Sequence, residues 1–311
     1  MKKAIFFFIF GFFIFLTACG LSESTKKTSN GHHDESEYRM IKHAMGEIAV
    51  PPNPEKISTL SVLYNDYLLS LGVKPTATVS YNYKGNDHLP YLKDDLTDVH
   101  LIGSQDQPNL EKLLELSPDL ILGEESHMKS YESFNKIAPT VIIEKTDDWR
   151  GYLRSIANVL GRESKAEEVI HNYNQKAEKA RVTLNKRVGD KTVVFLRVRS
   201  KELRVYGAAW NVGDVLYKDL GLKPASCVPL NDWAKQVSQE VLPQCNPDYI
   251  LLQVDNHEQA QNVFEDLKSS SIWKNLKAVK NGNVIPVEHW FIMTGPISNE
   301  TKIDLLINQL K

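Results

Sequence analysis

Two stretches of the chain carry the same phrase. EKLLELSPDLIL begins at Glu111 and EVLPQCNPDYIL at Glu240, and in each a Glu stands seven residues before a Pro-Asp that opens an apolar triplet. A proline disfavours helical backbone in the residue before it, so in both copies a helix runs into Pro-Asp and a strand begins. A phrase repeated in this way describes equivalent corners of two similar lobes. The length agrees: 311 residues with 42% hydrophobic content suffice for about two domains.

The rest of the pattern fills in those lobes. Short apolar runs at Ile57–Leu60, Pro75–Ser80, Val99–Ile102, Asp119–Leu122 and Thr140–Ile143 alternate with helix-like segments such as VLYNDYLLSLG, which implies a mostly parallel sheet with covering helices. From Ser164 to Lys186 the rhythm breaks. Ala166, Val169, Ile170, Tyr173, Ala177, Ala180 and Leu184 recur at spacings of three and four, the mark of one long amphipathic helix. Ser164 with Glu167 predicts a capping box at its start, and Gly189 its stop. Alternation then resumes, with a hairpin of Thr192–Arg199 and Leu203–Tyr206, a helix near Val212–Leu220, strands at Tyr249–Val254 and Asn283–Val287, and a final helix from about Ile297. The expected fold is α/β: two Rossmann-like lobes joined by one long α-helix, with a ligand cleft between them. Its divisions are residues 38–160 for the first lobe, 161–189 for the connecting helix and 190–311 for the second lobe.

What precedes residue 38 indicates where the protein works. Lys2 and Lys3 come before the apolar run AIFFFIFGFFIFL, which ends in LTAC with Cys19, the pattern of a secretory signal peptide over residues 1–18. LTAC resembles a bacterial lipobox, which would make Cys19 the lipidated first residue of the mature chain. An uncleaved anchor is the alternative, although the apolar block is shorter than the about 20 residues of a membrane span. Residues 19–37 are small and polar and read as a flexible tether, with a reach on the order of 20 to 25 Å. The HHDE within it (His32–Glu35) lacks further ligands at a fixed spacing and reads as a solvated cluster, not a metal site. The formal net charge is −2 with no long basic run, which argues against nucleic acid as a partner.

Chemistry-bearing motifs are missing from the sequence: there is no G-x-S-x-G, Walker loop, G-x-G-x-x-G, H-E-x-x-H or C-x-x-C. Polar aromatic and cationic residues instead gather at predicted strand ends, where α/β lobes place their ligands. The first lobe offers Tyr81, Tyr83 and His88, then His127 and Tyr131. The second offers Arg197, Arg199, Arg204, Tyr206 and Trp210, then Trp233, and then His289, Trp290 and Met293. Each also has a plainer meaning. Arg197 and Arg199 share a strand face with Val193 and Phe195 and either meet an anion or end a solvated strand; Trp290 is either a site residue or core; His88 and His127 are either ligands or ordinary surface histidines.

With these residues in view, the chain resembles the class III substrate-binding proteins of bacterial ABC importers, and among them the Gram-positive lipoproteins that bind iron siderophores. The likeness runs through PEKISTLSVLYNDYLLSLGVKP, LIGSQDQPNLEKLLELSPDLIL, YESFNKIAPTVII, LRVYG with VLYKDLGLKP, WAKQVSQEVLPQCNPDYILL and GPISNETKIDLL. It implies a receptor and not an enzyme, with no cofactor and a ferric siderophore as ligand, hydroxamate or mixed citrate-hydroxamate favoured over catecholate, haem and cobalamin. It implies that Arg197, Arg204 and Tyr206 face that ligand, because a guanidinium fork pairs with carboxylate or hydroxamate oxygens. It also implies a lipid-anchored monomer outside the cytoplasmic membrane, docking on the permease through Glu111 and Glu240, the residues that open the doubled phrase. A receptor for bare zinc or manganese, or an extracellular enzyme, are the other readings. Cys227 and Cys245 remain after Cys19; outside the cell they form either a disulfide or two buried thiols.

Overall fold

The computed structural model describes residues 38–311. The expectations for the leader, for Cys19 and for the tether fall on residues outside that range. The described chain opens with an antiparallel hairpin, β1 (Arg39–His43) and β2 (Gly46–Val50), which the sequence reading did not anticipate. It continues through β3 (Ile57–Thr59), α1 (Tyr64–Ser70), β4 (Ala77–Ser80), β5 (His100–Ser104), α2 (Leu110–Leu116), β6 (Leu120–Glu124), α3 (Tyr131–Asn135) and β7 (Thr140–Ile143). The five strands from β3 to β7 form one parallel sheet in the order β5-β4-β3-β6-β7. The order reverses between β3 and β6, the arrangement of a doubly wound lobe that opens its crevice beyond the carboxyl ends of its strands.

Two helices then run in series, α4 (Trp149–Leu160) and α5 (Glu163–Val188). Asp148 caps α4 by accepting from the backbone amides of Arg150 (3.0 Å) and Gly151 (3.1 Å), and Gly161, at φ +67°, lets the chain turn out of it. The 26 residues of α5 give a rod of about 39 Å that joins the lobes. Its expected capping box does not form. Helix α5 starts at Glu163, Arg162 gives no side-chain cap, and Glu167 is drawn instead to Arg154 on α4, at 2.6 Å. Gly189 does end it.

The second lobe contains β8 (Thr192–Val198), β9 (Leu203–Tyr206), β10 (Lys223–Pro224), β11 (Ala234–Val237), α6 (Leu242–Cys245), β12 (Tyr249–Val254), α7 (Glu258–Ser269), α8 (Ser271–Asn275), α9 (Lys277–Lys280), β13 (Val284–Pro286) and finally α10 (Pro296–Gln309). The main sheet path is β11-β9-β8-β12-β13, with β10 beside the start of β8. Strand β8 pairs in parallel with β12 and antiparallel with β9, the predicted hairpin. The expected helix near Val212–Leu220 is a single π-type turn, Asp214–Asp219.

Alternation along the strands separates two kinds of core. Val193 and Phe195 of β8, like Leu120 and Leu122 of β6, face a common core with Ile156, Tyr173, Phe291 and Leu306. Val194 and Leu196, and on the other sheet Ile121, face separate outer clusters. Each such buried side chain contributes about 1.5–3 kcal/mol by leaving water. A polar node closes the gap between α4, α5 and the second lobe: Asp219 accepts from Arg150 (3.2 Å) and from the Tyr173 hydroxyl (2.9 Å), and Arg181 donates to its carbonyl at 3.0 Å.

The last helix does not stay with the second lobe. Helix α10 packs on α5, α1 and α4, and the buried Asp66 of α1 explains why. Its carboxylate accepts from the backbone amides of Ile297 and Ser298, both at 2.8 Å, and from the Tyr91 hydroxyl at 3.0 Å. These amides lack intrahelical acceptors at the start of α10, where a negative charge is favoured. A Cβ on Gly295 would lie 2.6 Å from that carboxylate, so the close approach requires glycine.

The two Pro-Asp corners are equivalent in detail. Ser117 (φ +46°) and Asn246 (φ +34°) end α2 and α6 in the left-handed region. Asp119 then accepts from the amides of Glu55 (3.0 Å) and Lys56 (2.7 Å) just before β3, and Asp248 from the amide (2.8 Å) and hydroxyl (2.9 Å) of Thr192 at the start of β8. Each aspartate ties its own strand to the strand beside it.

Candidate functional site

Residues at the ends of β4, β8 and β9, and in the loop after β13, converge between the lobes. Beyond β4 the chain turns back at once: the Tyr81 amide donates to the Asp87 carbonyl at 2.7 Å, and Asn82, Lys84 and Gly85 all take positive φ. This turn projects Tyr81 and Tyr83 toward the second lobe. A hydrogen bond of 2.7 Å joins the Tyr81 hydroxyl to Nδ1 of His289, and the Tyr83 ring stacks on the His289 imidazole with centroids 4.2 Å apart. Burial, and next the positive field of Arg197, lower the His289 pKa to about 4, so the imidazole is neutral over the physiological range.

Arg197 and Arg204 stand directly opposite each other on β8 and β9. Two like charges in a cross-strand pair repel unless acids intervene, and two do. Arg197 donates through Nε to Asp255 at 2.7 Å and through Nη1 to the Tyr206 hydroxyl at 3.2 Å, while Arg204 is paired with Glu202. Burial acts to raise the Asp255 carboxyl, but hydrogen bonds from Arg197 and Gln253 outweigh it and hold the group below the ordinary carboxylate range. Tyr206 is fixed from beneath by Phe195, stacked at 4.6 Å, and Trp233 carries the Arg204 guanidinium 5.2 Å from its ring centroid.

Two cavities adjoin this cluster. One, of about 510 Å³, is lined by Tyr83, Arg197, Arg199, Ser200, Lys201, Glu202, Asp255, His257 and His289. The other, of about 570 Å³, takes Lys145, Thr146, Asp147, Asp148, Trp149 and Tyr152 from the region around the start of α4, and Trp210, Asn211, Asp214, Trp233 and Thr294 from the second lobe. Both volumes suit a small-molecule ligand. The lining is cationic and polar in the first, aromatic and acidic in the second. Among the described residues no group of three or more His, Cys, Asp or Glu side chains stands close enough to hold a metal ion.

The structure therefore brings together Tyr81, Tyr83, Arg197, Arg204, Tyr206, Trp233 and His289, with Trp210 on the neighbouring cavity. Five other expected site residues lie elsewhere. His127 is buried near α3: its Nδ1 accepts from the Glu124 amide, which leaves Nε2 to donate to the Gln105 carbonyl at 3.1 Å. Both ring nitrogens are thus used inside the first lobe. Trp290 is core, packed on Tyr91 with centroids 5.1 Å apart, and Met293 packs on the same core. His88 lines neither cavity, and Tyr131 packs against His43. Glu111, in the first turn of α2, and Glu240, in the 3-10 turn before α6, are both exposed and line neither cavity. Cys227 and Cys245 are joined by a disulfide with Cα atoms 5.0 Å apart. Sequence reasoning missed Asp255, Glu202, Trp149, Tyr152 and Asp214; Asp255 follows directly on β12 as Arg197 nears the end of β8, and the parallel pairing of those strands is the signal that could have found it.

A family model described as "Periplasmic binding protein" matches residues 57–288. The chain belongs to that family. Among family relatives, the probable siderophore-binding lipoprotein YfiY of Bacillus subtilis is 36% identical over 307 residues, covering 93% of this chain and 91% of the relative. The iron(3+)-hydroxamate-binding protein FhuD of the same organism is 31% identical, covering 95% and 93%. In three dimensions the chain is similar to Staphylococcus aureus SirA complexed with staphyloferrin B, with a TM-score of 0.73 at 29% identity over 88% of this chain and 98% of that one.

Proposed function

We propose that this protein is an extracellular receptor that binds a ferric siderophore, of hydroxamate or citrate-hydroxamate type, in the cleft between its lobes and delivers it to an ABC permease. The observation that carries the ligand class is the arginine pair on β8 and β9. Arg197 is fixed by Asp255 and Tyr206 at the wall of a cavity it shares with Tyr83 and His289, and Arg204 stands opposite it. Oriented guanidinium groups beside neutral aromatic rings suit an oxygen-rich complex that is anionic on one side. The family and the ligands named for its relatives point the same way.

In this reading the protein acts by binding and not by catalysis, as a monomer anchored through a lipid on Cys19 to the outer face of a Gram-positive cytoplasmic membrane. Residues 38–160 and 190–311 supply the lobes that grip the ligand, with α10 returning from the second onto the first, and 161–189 joins them. Glu111 and Glu240 offer one exposed carboxylate per lobe to arginines of the permease subunits.

Titration of intrinsic tryptophan fluorescence with a panel of ferric siderophores tests the receptor reading. Ferric hydroxamates quench it at sub-micromolar to micromolar concentration, since Trp210 and Trp233 line the cleft; flat titrations with every siderophore class would sink the assignment. Arg197→Ala and Arg204→Ala each weaken binding by about 1–3 kcal/mol, the worth of a charge-assisted hydrogen bond. Unchanged affinity in both variants removes the arginines from the site.

A further inference from the structure

We infer that the aromatic cavity beside the arginine pair is a second compartment of the cleft, built to take an ammonium-bearing arm of the bound chelate. This rests on the receptor reading and narrows its ligand to chelates with a cationic end.

Four aromatic side chains make the walls, Trp149 and Tyr152 from one side and Trp210 and Trp233 from the other. Arg150 already lies over the Trp149 ring at 4.7 Å and Arg204 over Trp233 at 5.2 Å, so Tyr152 and Trp210 are the rings left to attract a cation that has left water. Trp210 is set in place by its backbone: it holds φ +63°, rare for a bulky residue, within a loop closed by the Gly213 amide donating to the Trp210 carbonyl at 3.1 Å. It remains 48% exposed. A large apolar ring is thus presented, not buried.

The acids of this cavity outnumber its cations, and two of them, the exposed Asp147 and the half-buried Asp214, are without a partner among the described residues. Asp147, Asp148 and Asp214 line it against a single cation, Lys145. Asp148 is committed to capping α4 and to Arg150 at 3.2 Å. Asp214, half-buried, has neither a hydrogen bond nor an ion pair among the described residues. Burial, the largest influence on it, holds its carboxyl above the ordinary aspartate value although Lys218 acts to lower it, and a further ammonium at contact would lower it again.

A second unmet group lies in the wall of the cavity. Trp149 is only 3% exposed, and its indole N–H has no acceptor in the protein. A buried donor left unpaired is costly.

The two cavities have no lining residue in common, but a chain of side-chain contacts links them, which makes the arrangement directional. Trp233 lines the aromatic one, carries Arg204 over its ring and touches Tyr206 edge-on, and Tyr206 accepts from Arg197. Anionic oxygens at one end and an ammonium at the other would therefore seat a chelate in one orientation.

Fluorotryptophan labelling gives a test with internal controls, because the chain has five tryptophans, of which Trp273 and Trp290 lie in the cores. Mono-N-acetylated pentane diamine, titrated into the labelled protein, shifts the fluorine resonances of Trp149, Trp210 and Trp233 and leaves those of Trp273 and Trp290 in place. Its neutral diacetylated form produces no such shift, and Asp214→Asn abolishes the response. Equal shifts from both probes, or none at the three cavity tryptophans, overturn the inference. In a second arm a linear ferric trihydroxamate with a free terminal amine binds about tenfold more tightly than its N-acetylated form, and Asp214→Asn brings the ratio to about one. Equal affinities in the wild type overturn the compartment and leave the receptor reading standing. Amine-dependent shifts with no binding of either chelate sustain the compartment and overturn the hydroxamate assignment.

Discussion

At the first Pro-Asp corner α2 runs for seven residues from an Asn109 cap, whose side chain accepts from the Lys112 amide at 2.9 Å, with Leu113 buried beneath it. At the second, α6 is a single turn of four residues with Pro243 near its start and Cys245 tied to Cys227. The two helices share little in length, capping or cross-linking. The aspartates that follow them nonetheless bind the neighbouring strand in the same manner. The comparison teaches that the strand tie is the part of the corner a lobe of this kind requires. The preceding helix is held by whatever means its surroundings allow: a cap and a core leucine in one case, a covalent bond in the other.

If the glutamates at the head of each corner are equivalent handles, as proposed, the largest effect belongs to their joint removal. Glu111→Ala with Glu240→Ala nearly abolishes siderophore uptake while ligand affinity in solution stays intact, and each single change gives a partial loss. Normal uptake by the double variant at normal surface abundance would reduce the repeat to a trace of common ancestry. The covalent difference comes next. Opening the disulfide by Cys227→Ser with Cys245→Ser costs about 3 kcal/mol of unfolding free energy on the chain-entropy model, read from urea midpoints. Hydrogen exchange then rises in α6 and not in α2; equal loosening of both corners contradicts their separate support. The smallest effect sharpens the likeness itself. Asp119→Ala and Asp248→Ala each cost about 0.5–1.5 kcal/mol, and a difference between them well beyond that range breaks the equivalence. Asp248 adds a pH signature. Burial opposes its charge, but the Thr192 amide and hydroxyl outweigh burial and depress its pKa. Its contribution is present above the unfolded carboxyl value of about 3.9 and is lost as pH falls through the lower folded value, a loss that Asp248→Ala removes from the acid unfolding curve.

Local rhythm made the parallel strands, the hairpin of β8 and β9 and the long helix α5 legible, because each is periodic over enough residues to declare a buried face. What such periodicity leaves open is the object that the face meets. The stripe on α10 is visible, yet its attachment to α1 depends on Asp66, more than two hundred residues earlier in the chain. Helix α4 has its signals in plain sight, with Asp148 before it and Gly161 after it. At the site, strand-end position found Arg197, Arg204 and Tyr206. It failed for His127 and Trp290, since a polar aromatic beside a strand end is equally at home facing inward, and only contacts as distant as Trp290 with Tyr91 decide which way it turns. The Ser164–Glu167 box failed because Arg154 offered Glu167 a full charge in place of a backbone amide.

The seat of α10 also bears on the order in which the molecule can be completed. A chain that emerges with its amino end first presents Asp66 long before residues 297 and 298 exist to receive it. Until then, its first lobe holds a carboxylate that must either stay hydrated or be enclosed without two of its partners. Closing the lobe early is therefore penalised, and the final fourteen-residue helix acts as a late clasp. The enclosure of Asp66 is thus a bond between the two ends of the described chain, complete only when both are present.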